Sequence, residues 1–257
     1  MDKILIIFFS SIVISFAQNP TALNQPNTNT NEIQNNYIQF KNYFENEILL
    51  SLDFNAVDEN NQTITKEFFL EQLSKGDFIP IKLISPYKSI TYKLFALLST
   101  SDSSIKATIV EKSFNELHNY KKEGTAFPSF SFNDLNGNLI TNESMKGKII
   151  VIKCWFIHCA ICVKEFPEVN ALAEKYSKNK DIEFISLAED NPEQLKAFLN
   201  KKPLRYSVVP NMKEYMNEVL QLNAFPTHFI LDKESKIVKV VSNFKSLEIA
   251  LEEVIQQ

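Results

Sequence analysis

The pattern of hydrophobic and polar positions predicts a sheet in the second half of the chain. Residues 149–155 are almost continuously apolar and rich in β-branched side chains, which is typical of a strand covered on both faces. Further strands are expected at residues 182–187, 206–209, 229–231 and 238–241, with helices over 159–177, from 192, over 212–222 and over 247–255. Because strands and helices alternate, we predict an α/β fold with mixed strand directions for residues 123–257.

A short hairpin is expected directly before this sheet. Residues 127–132 alternate between apolar and polar side chains, and Asn136-Gly137 is typical of a hairpin turn leading into Leu139 and Ile140. The pattern therefore predicts an N-terminal hairpin extension of the α/β fold.

The preceding residues, 37–122, predict a separate small α+β domain. The expected elements are a strand over 49–57, a helix over 65–73 that ends at Gly76, a hairpin of 78–84 with 90–98, and a helix over 105–120. No catalytic constellation is visible here. Two roles stay open for this domain: docking of partners or selection of substrates, and plain structural support.

The first residues read as a targeting segment. Lys3 precedes an apolar stretch over residues 4–16, and residues 15–17 form a small-x-small cleavage site, so we predict a signal peptide over residues 1–17. An uncleaved membrane anchor is the alternative, although the stretch is shorter than the about 20 residues that span a bilayer. Residues 18–36 are polar and predict a flexible linker.

Composition narrows the classes of partner and the compartment. The formal charge of −4 and the absence of a basic stripe argue against nucleic acid as a partner. Three cysteines are an odd number for a disulfide-stapled scaffold, so Cys159 and Cys162 are expected to pair without Cys154. We interpret Cys154 as a small hydrophobe of the buried strand, with a sensing role as the alternative.

Cys159 and Cys162 carry the candidate chemistry. Residues three apart at the start of a helix lie on one face, so their sulfur atoms can join as a disulfide. A helix N-terminus lowers the pKa of a thiol from its usual value of about 8.5, which favours Cys159 as the attacking thiolate and Cys162 as the resolving thiol. A static disulfide fits less well, because closing so short a loop constrains the unfolded chain little.

Several residues around this pair match a known pattern. The matching positions are Trp155, Cys159, Cys162, Glu165, Pro167 and the segment 225–232, which reads Phe-Pro-Thr-His-Phe-Ile-Leu-Asp. In these features residues 123–257 resemble the thioredoxin superfamily, and more closely the TlpA/ResA-like thiol–disulfide oxidoreductases of the bacterial cell envelope. The resemblance implies a thioredoxin-like fold.

The resemblance also implies a function and its partners. The protein would exchange its dithiol with disulfides of envelope proteins in the periplasm, as a reductant recharged by a membrane thiol donor, with cytochrome c maturation as one role. No organic cofactor and no metal is implied. Pro226 would be cis and lie against the dithiol, and the bulky Phe225 before it would narrow the set of substrates.

Three further positions have both a functional and a plain interpretation, and a fourth has only a plain one. Glu165 could exchange a proton with Cys162 or be an exposed glutamate paired with a lysine. Lys153 stands where thioredoxins often have a buried acid; its ammonium could favour the thiolate, or it could reach out to the strand edge. His158 could stabilise the thiolate as an imidazolium or contact partners. His228 is expected to be neutral and packed.

Two other functions compete with disulfide exchange. A peroxiredoxin would need Thr or Ser three residues before the nucleophile and a preceding proline, where this chain has Phe156 and Ile152. A thioredoxin-like copper chaperone could use Cys159, Cys162 and His228 as soft ligands. Zinc is disfavoured because a second ligand pair is missing from the sequence.

Overall fold

The computed structural model describes residues 25–85 and 89–256. The predicted signal peptide, the start of the predicted linker (18–24) and the predicted turn at Pro86 lie outside these residues. In the two described ranges, no helix combines the length and the apolar character that crossing a bilayer requires.

The N-terminal part consists of a four-stranded sheet packed against helices. Its elements are α1 (Thr30–Asn35), α2 (Tyr37–Glu47), β1 (Asn55–Val57), β2 (Thr63–Ile64), α3 (Lys66–Ser74), β3 (Phe78–Lys82), β4 (Thr91–Ala96) and α4 (Ser103–Tyr120). The strand order is β2-β1-β4-β3, and β3 pairs antiparallel with β4 as the hairpin pattern predicts. Phe40, Phe69 and Tyr92 are fully buried in the core of this part.

The prediction of a flexible linker is wrong for residues 25–36. Residues 30–35 form α1, and Ile33 and Gln34 are buried. Asn29 and Asn36 cap α1 and α2 by accepting a backbone N–H with their side chains. Asparagines that suggest disorder by composition act here as helix caps, which is the position that their short polar side chain favours.

The predicted strand over residues 49–57 is also shorter than expected. Only Asn55–Val57 forms the strand, because the chain turns at Leu50 and Ser51.

The helix predicted over residues 65–73 is confirmed as α3. Thr65 caps it by accepting a hydrogen bond from the N–H of Phe68.

The C-terminal part begins with the predicted hairpin and continues into a five-stranded sheet. Its elements are β5 (Ser131–Asn133), β6 (Leu139–Thr141), α5 (Asn142–Met145), β7 (Ile149–Trp155), α6 (Ala160–Lys164), α7 (Phe166–Lys175), β8 (Ile182–Ala188), α8 (Pro192–Leu199), β9 (Ser207–Val209), β10 (Thr227–Leu231), β11 (Ile237–Val241) and α9 (Phe244–Ile255). The strand order is β11-β10-β7-β8-β9. Strands β7, β8 and β9 run parallel, β10 pairs antiparallel with β7, and β11 pairs antiparallel with β10. The predicted thioredoxin-like α/β fold with an N-terminal hairpin is confirmed.

Alternate residues of β7 enter different cores on the two faces of the sheet. Ile152 and Cys154 contribute to the core beneath the β5–β6 hairpin. Val151 contributes to the core formed with α7 and α9. Lys153 belongs to the same face as Val151 because side chains alternate along a strand. The charged side chain of Lys153 thus lies on the face of the sheet that α7 and α9 cover.

Two predicted helices differ in the structure. The helix predicted over residues 159–177 is divided at Glu165 into α6 and α7, with Pro167 in the first turn of α7, where its missing N–H costs nothing. The helix predicted over residues 212–222 is mostly the five-residue π-helical turn Tyr215–Val219. Gln221, with φ of 50°, ends it.

The N-terminal part packs against the edge of the five-stranded sheet. Lys239 of β11 forms ion pairs with Asp53 and Glu123, at 2.5 and 3.2 Å. The side chains of Leu49 and Leu52 enter the core that α9 shares with β10 and β11.

The outer edge of β11 is paired by the segment that joins the two parts. The N–H of Ile237 donates to the carbonyl oxygen of Thr125, and the N–H of Val240 donates to the carboxylate of Glu123.

Candidate active site

Cys159 and Cys162 are joined as a disulfide at the start of α6. Their Cα atoms lie 5.3 Å apart. Cys159 is the N-cap residue of α6, and its sulfur accepts a hydrogen bond from the N–H of Cys162 at 3.3 Å. Cys159 is 8% exposed and Cys162 is fully buried. The two sulfur atoms therefore join as the sequence predicts, and Cys159 is the more accessible one.

The cis-proline loop lies beside the disulfide. The peptide bond between Phe225 and Pro226 is cis. The Phe225 ring packs against the cluster that contains both cysteines and meets Phe156 edge-on, with ring centroids 5.4 Å apart. The segments around residues 159 and 226, which are distant in sequence, are thus brought together as the resemblance implies.

Trp155 is the last residue of β7, and its side chain packs against α7. Its side chain is fully buried, and its indole N–H donates to the hydroxyl of Ser186 at 2.5 Å. The ring packs edge-on against Phe166 at 4.9 Å between centroids. Trp155 therefore lies beside the helix, as expected, and belongs to the same apolar cluster as the two cysteines.

A buried polar cluster lies where α6 meets the sheet. Glu165, which ends α6, accepts hydrogen bonds from Lys153 Nζ at 2.6 Å and from His228 Nε2 at 3.1 Å. Its other carboxylate oxygen accepts the backbone N–H of Phe244 at 2.9 Å. Lys153 is fully buried, so the expectation that it reaches the strand edge is wrong. Glu165 is buried as well and is not an exposed helical glutamate.

The surroundings fix the charge of each member of this cluster. Burial raises the pKa of Glu165, but the hydrogen bond from His228 and the charge of Lys153 outweigh it and lower the pKa to about 2. Burial and the neighbouring Lys153 lower the pKa of His228 to about 4, so its imidazole is neutral at pH 7, as predicted. Burial also lowers the pKa of Lys153, opposed by Glu165. At neutral pH the cluster holds one ammonium–carboxylate pair and one neutral imidazole.

Two other predicted positions lie apart from this cluster. The His158 side chain is exposed, next to the disulfide in sequence. Cys154 is free and fully buried on the opposite face of the sheet, in the apolar core that contains Ile152. Burial raises the pKa of its thiol. This environment agrees with the interpretation of Cys154 as a small hydrophobe.

The ligand set of a copper chaperone does not form in the described part of the chain. No group of three or more metal-ligating side chains assembles in residues 25–85 or 89–256. The imidazole of His228 is bonded through Nε2 to Glu165. In this structure His228 therefore does not join Cys159 and Cys162 as the third ligand that the copper-chaperone alternative requires.

Comparisons with known proteins agree on the C-terminal part of the chain. The model of the AhpC/TSA family matches residues 124–240. The thiol-disulfide oxidoreductase ResA of Bacillus thuringiensis (strain Al Hakam) is 32% identical over 119 residues, which are 46% of this chain and 68% of that protein. The chain belongs to the ResA-like thiol–disulfide oxidoreductases.

Further similarities cover the same half of this ResA-like protein. ResA of Bacillus subtilis (strain 168) is 28% identical over 121 residues, which are 47% of this chain and 67% of the relative. Among solved structures, the thioredoxin domain of a thiol-disulfide oxidoreductase from Bacteroides vulgatus is similar, with 24% identity and a TM-score of 0.47 over 51% of this chain and 96% of the other. On its similarity to ResA, this protein is a thiol–disulfide oxidoreductase.

Sequence reasoning missed how Glu165 is held in this ResA-like protein. It treated Glu165, Lys153 and His228 separately, and it did not consider the N–H of Phe244, which starts α9. One signal was available: a lysine inside an apolar strand needs a carboxylate partner, because an unpaired buried charge is very costly. The donor from α9 had no such signal, since a backbone group carries no residue type.

Proposed function

We propose that this protein is an extracytoplasmic reductant that uses Cys159 and Cys162 to reduce disulfides of envelope proteins. The observation that carries the proposal is the Cys159–Cys162 disulfide at the start of α6, with the cis-proline loop packed beside it. The family of the chain supports exchange of disulfides. The difference in accessibility between the two cysteines supports their separate roles.

The proposed cycle starts from the reduced dithiol. The Cys159 thiolate attacks a substrate disulfide, forms a mixed disulfide and releases one substrate thiolate. Cys162 then attacks the Cys159 sulfur; a bond between Cys159 and Cys162 forms, and the bond from Cys159 to the substrate breaks. The substrate gains two electrons and two protons: one proton comes from the Cys162 thiol and one from the solvent, which took up the Cys159 proton when its thiolate formed. The protein ends as the observed disulfide.

The residues around the disulfide are proposed to hold the substrate chain. The backbone beside Pro226 would pair with the substrate segment, and Phe225 would limit which side chains fit there. Ile161, which is 64% exposed between the two cysteines, adds an apolar contact surface. His158 is proposed to contact substrates from the preceding loop, and Trp155 to support the site from beneath.

The compartment and the electron donor are further parts of the proposal. A predicted signal peptide over residues 1–17 supports export to the periplasm, where dithiols face an oxidising environment. The dithiol would therefore need a membrane thiol donor to return to its reduced form. Disulfides of apocytochromes c are one substrate class that the ResA-like resemblance suggests.

We propose the division into a small α+β domain, predicted over residues 37–122 and extended by α1, and the thioredoxin-like domain over residues 123–257. Separate cores support the division: Phe40 and Phe69 pack in the first, Ile152 and Phe229 in the second. The His118 ring bonds the carbonyl oxygen of Gln221 at 2.7 Å, shortly before the cis-proline loop. This contact supports a role of the first domain in positioning that loop for substrates.

A trapping variant tests the function. In Cys162→Ser the mixed disulfide on Cys159 cannot be resolved, so substrate proteins stay attached and can be identified by mass spectrometry. The double variant Cys159→Ser/Cys162→Ser is the control and should capture nothing. The proposal fails if Cys162→Ser captures no envelope protein and the reduced wild type does not reduce protein disulfides.

A peroxide assay separates disulfide exchange from a peroxidase function. The peroxidase alternative arises because the matched family model is described as AhpC/TSA. We expect no hydrogen-peroxide turnover above that of free thiols, because Phe156 and Ile152 stand where peroxiredoxins need a hydroxyl and a proline. Rapid oxidation of Cys159 by peroxide, faster than its reaction with a protein disulfide, would favour the peroxidase.

A further inference from the structure

Lys153 places a charged group inside the sheet, directly under the helix that carries the disulfide. Its side chain is fully buried, and Glu165 lies 2.6 Å from its ammonium. An ammonium group loses several kcal/mol of hydration energy on burial and is kept charged only by a close, well-oriented partner. Lys153 and Glu165 therefore depend on each other for their ionised states.

The carboxylate of Glu165 receives donors from three separate elements. Lys153 on β7 and His228 on β10 donate to Oε2, and the N–H of Phe244 donates to Oε1. Phe244 is the first residue of α9, so its amide also brings the partial positive charge of a helix N-terminus. Both oxygens of the Glu165 carboxylate thus face N–H donors.

His228 acts as a donor rather than as a second positive charge. Its Nε2 faces the carboxylate, which assigns the proton to Nε2 and leaves Nδ1 as an acceptor. Nδ1 is buried and has no hydrogen-bond partner among the described residues. A protonated imidazole would place a second cation beside Lys153 in the same buried space. The neutral tautomer avoids this repulsion and still bonds Glu165.

The other titratable groups around this cluster stay neutral near pH 7. Tyr206, from the segment before β9, feels the charge of Glu165, and Cys154 lies next to Lys153 on β7. Burial raises the pKa of both the Tyr206 hydroxyl and the Cys154 thiol. Lys153 and Glu165 are therefore the charged pair that the cluster holds.

We propose that Lys153 and His228 are positioning residues for disulfide exchange: they hold Glu165 permanently ionised and fully hydrogen-bonded, as a fixed anchor one turn beyond Cys162 and not as the acceptor of its proton. The inference rests on the resolving role proposed for Cys162. When Cys162 attacks the mixed disulfide, the bond between Cys159 and Cys162 forms and the substrate sulfur leaves. The proton of the Cys162 thiol then ends on the departing substrate thiolate and not on Glu165.

The test is the pH dependence of the two active-site thiols in the reduced full-length protein. Thiolate formation is followed by ultraviolet absorbance, and the rate of disulfide reduction is measured over the same pH range. In the wild type we expect only thiol ionisations. In Lys153→Met, Glu165 loses its counter-charge, and we expect an additional ionisation between about pH 5 and about pH 8, because an unpaired buried carboxyl titrates well above its usual range.

Matched variants separate a positioning role from a general loss of stability. Lys148→Met removes a lysine from a half-exposed Lys148–Glu183 pair next to the same strand and should keep the wild-type profile. The double variant Lys153→Met/Glu165→Gln should lose the additional ionisation, because the titrating carboxyl is gone. A profile of Lys153→Met that superimposes on the wild type, or an ionisation in the wild type that Glu165→Gln removes, overturns the proposal.

Variants of His228 keep the test open if Lys153→Met does not fold. His228→Gln retains an N–H donor at the position of Nε2 and should keep the wild-type pH profile. His228→Leu removes the donor and should change the rate of disulfide reduction at low pH several-fold. Equal profiles for these two variants contradict the role of His228. Thiolate absorbance needs no substrate, so failure of this inference is distinguishable from failure of the proposed function.

Discussion

At the scale of single residues, the three cysteines show how local environment divides one chemistry into different roles. Cys159 caps a helix and keeps 8% of its surface exposed, Cys162 is fully buried one turn further, and Cys154 lies in an apolar core on the other face of the sheet. A thiolate is stabilised by nearby N–H groups and destabilised by apolar surroundings. The reactivity of the three thiols should therefore follow their positions.

This difference predicts the order of alkylation. In the reduced, folded protein at neutral pH, iodoacetamide should modify Cys159 first and Cys162 much more slowly, and it should leave Cys154 unmodified, because burial raises the pKa of the Cys154 thiol and blocks access. Peptide mass spectrometry over time measures the order. The denatured protein is the control, since all three cysteines should react there. Modification of Cys154 in the folded protein at the rate of Cys159 would contradict the prediction.

At the scale of elements, the site depends on how separate helices begin. Asn243 caps α9 by accepting the N–H of Ser246 at 2.9 Å, and the next residue, Phe244, donates its N–H to Glu165. The start of α9 is therefore both a helix cap and a partner of the buried carboxylate. Asn191 caps α8 in the same way through the N–H of Gln194, also at 2.9 Å, without contacting Glu165.

These two caps provide a matched pair of variants. Asn243→Ala and Asn191→Ala should each lower the free energy of unfolding by about 1 kcal/mol, the usual cost of losing an N-cap. Only Asn243→Ala should also change the pH profile of the active-site thiols, because it loosens the amide that bonds Glu165. Chemical denaturation and thiolate absorbance measure the two effects. If both variants change the thiol profile equally, the start of α9 has no special part in the site.

At the scale of the whole molecule, a buried acid joins the N-terminal part to the sheet. Glu116 on α4 accepts a hydrogen bond from the hydroxyl of Ser242, which follows β11, at 2.5 Å. Burial raises the pKa of the Glu116 carboxyl, and the hydrogen bond from Ser242 only partly opposes this. The folded protein therefore binds a proton at Glu116 more tightly than the unfolded chain does.

This linkage gives the sign of a stability change with pH. A raised folded-state pKa stabilises the fold at and below the unfolded-state value near 4.5, and that contribution is lost as pH rises through the folded-state pKa. Glu116→Gln keeps an acceptor for Ser242 but carries no charge. At pH 7 it should be more stable than the wild type by about 1 kcal/mol, a typical size for one substitution. The difference should shrink towards zero near pH 4.5.

Thermal unfolding at several pH values measures this difference. Glu111→Gln is the control, because Glu111 lies on the same helix with 68% of its side chain exposed and should not alter stability with pH in this way. A stability gain of Glu116→Gln that is the same at pH 4.5 and pH 7 would mean that ionisation of Glu116 is not its cause.

The sequence alone determined the elements whose cause is local. The apolar run of residues 149–155 fixed a strand buried on both faces, Asn136-Gly137 fixed a hairpin turn, and the spacing of Cys159 and Cys162 fixed a dithiol on one face of a helix. Each of these follows from side-chain periodicity or backbone preference within a few residues. The resemblance of residues 225–232 to a cis-proline loop added the one long-range contact that the sequence anticipated.

Only the tertiary structure decided the burial and the hydrogen-bond partners of the polar groups, which local sequence patterns do not determine. Whether Lys153 reaches solvent or a buried carboxylate depends on which helix covers its face of the sheet, and the amide of Phe244 reaches Glu165 only because α9 begins there. Residues 30–35 likewise form a helix because Ile33 packs into the core of the N-terminal part. Burial is a property of the assembled fold, so the charge and the hydrogen bonds of a buried group are settled only when distant segments meet.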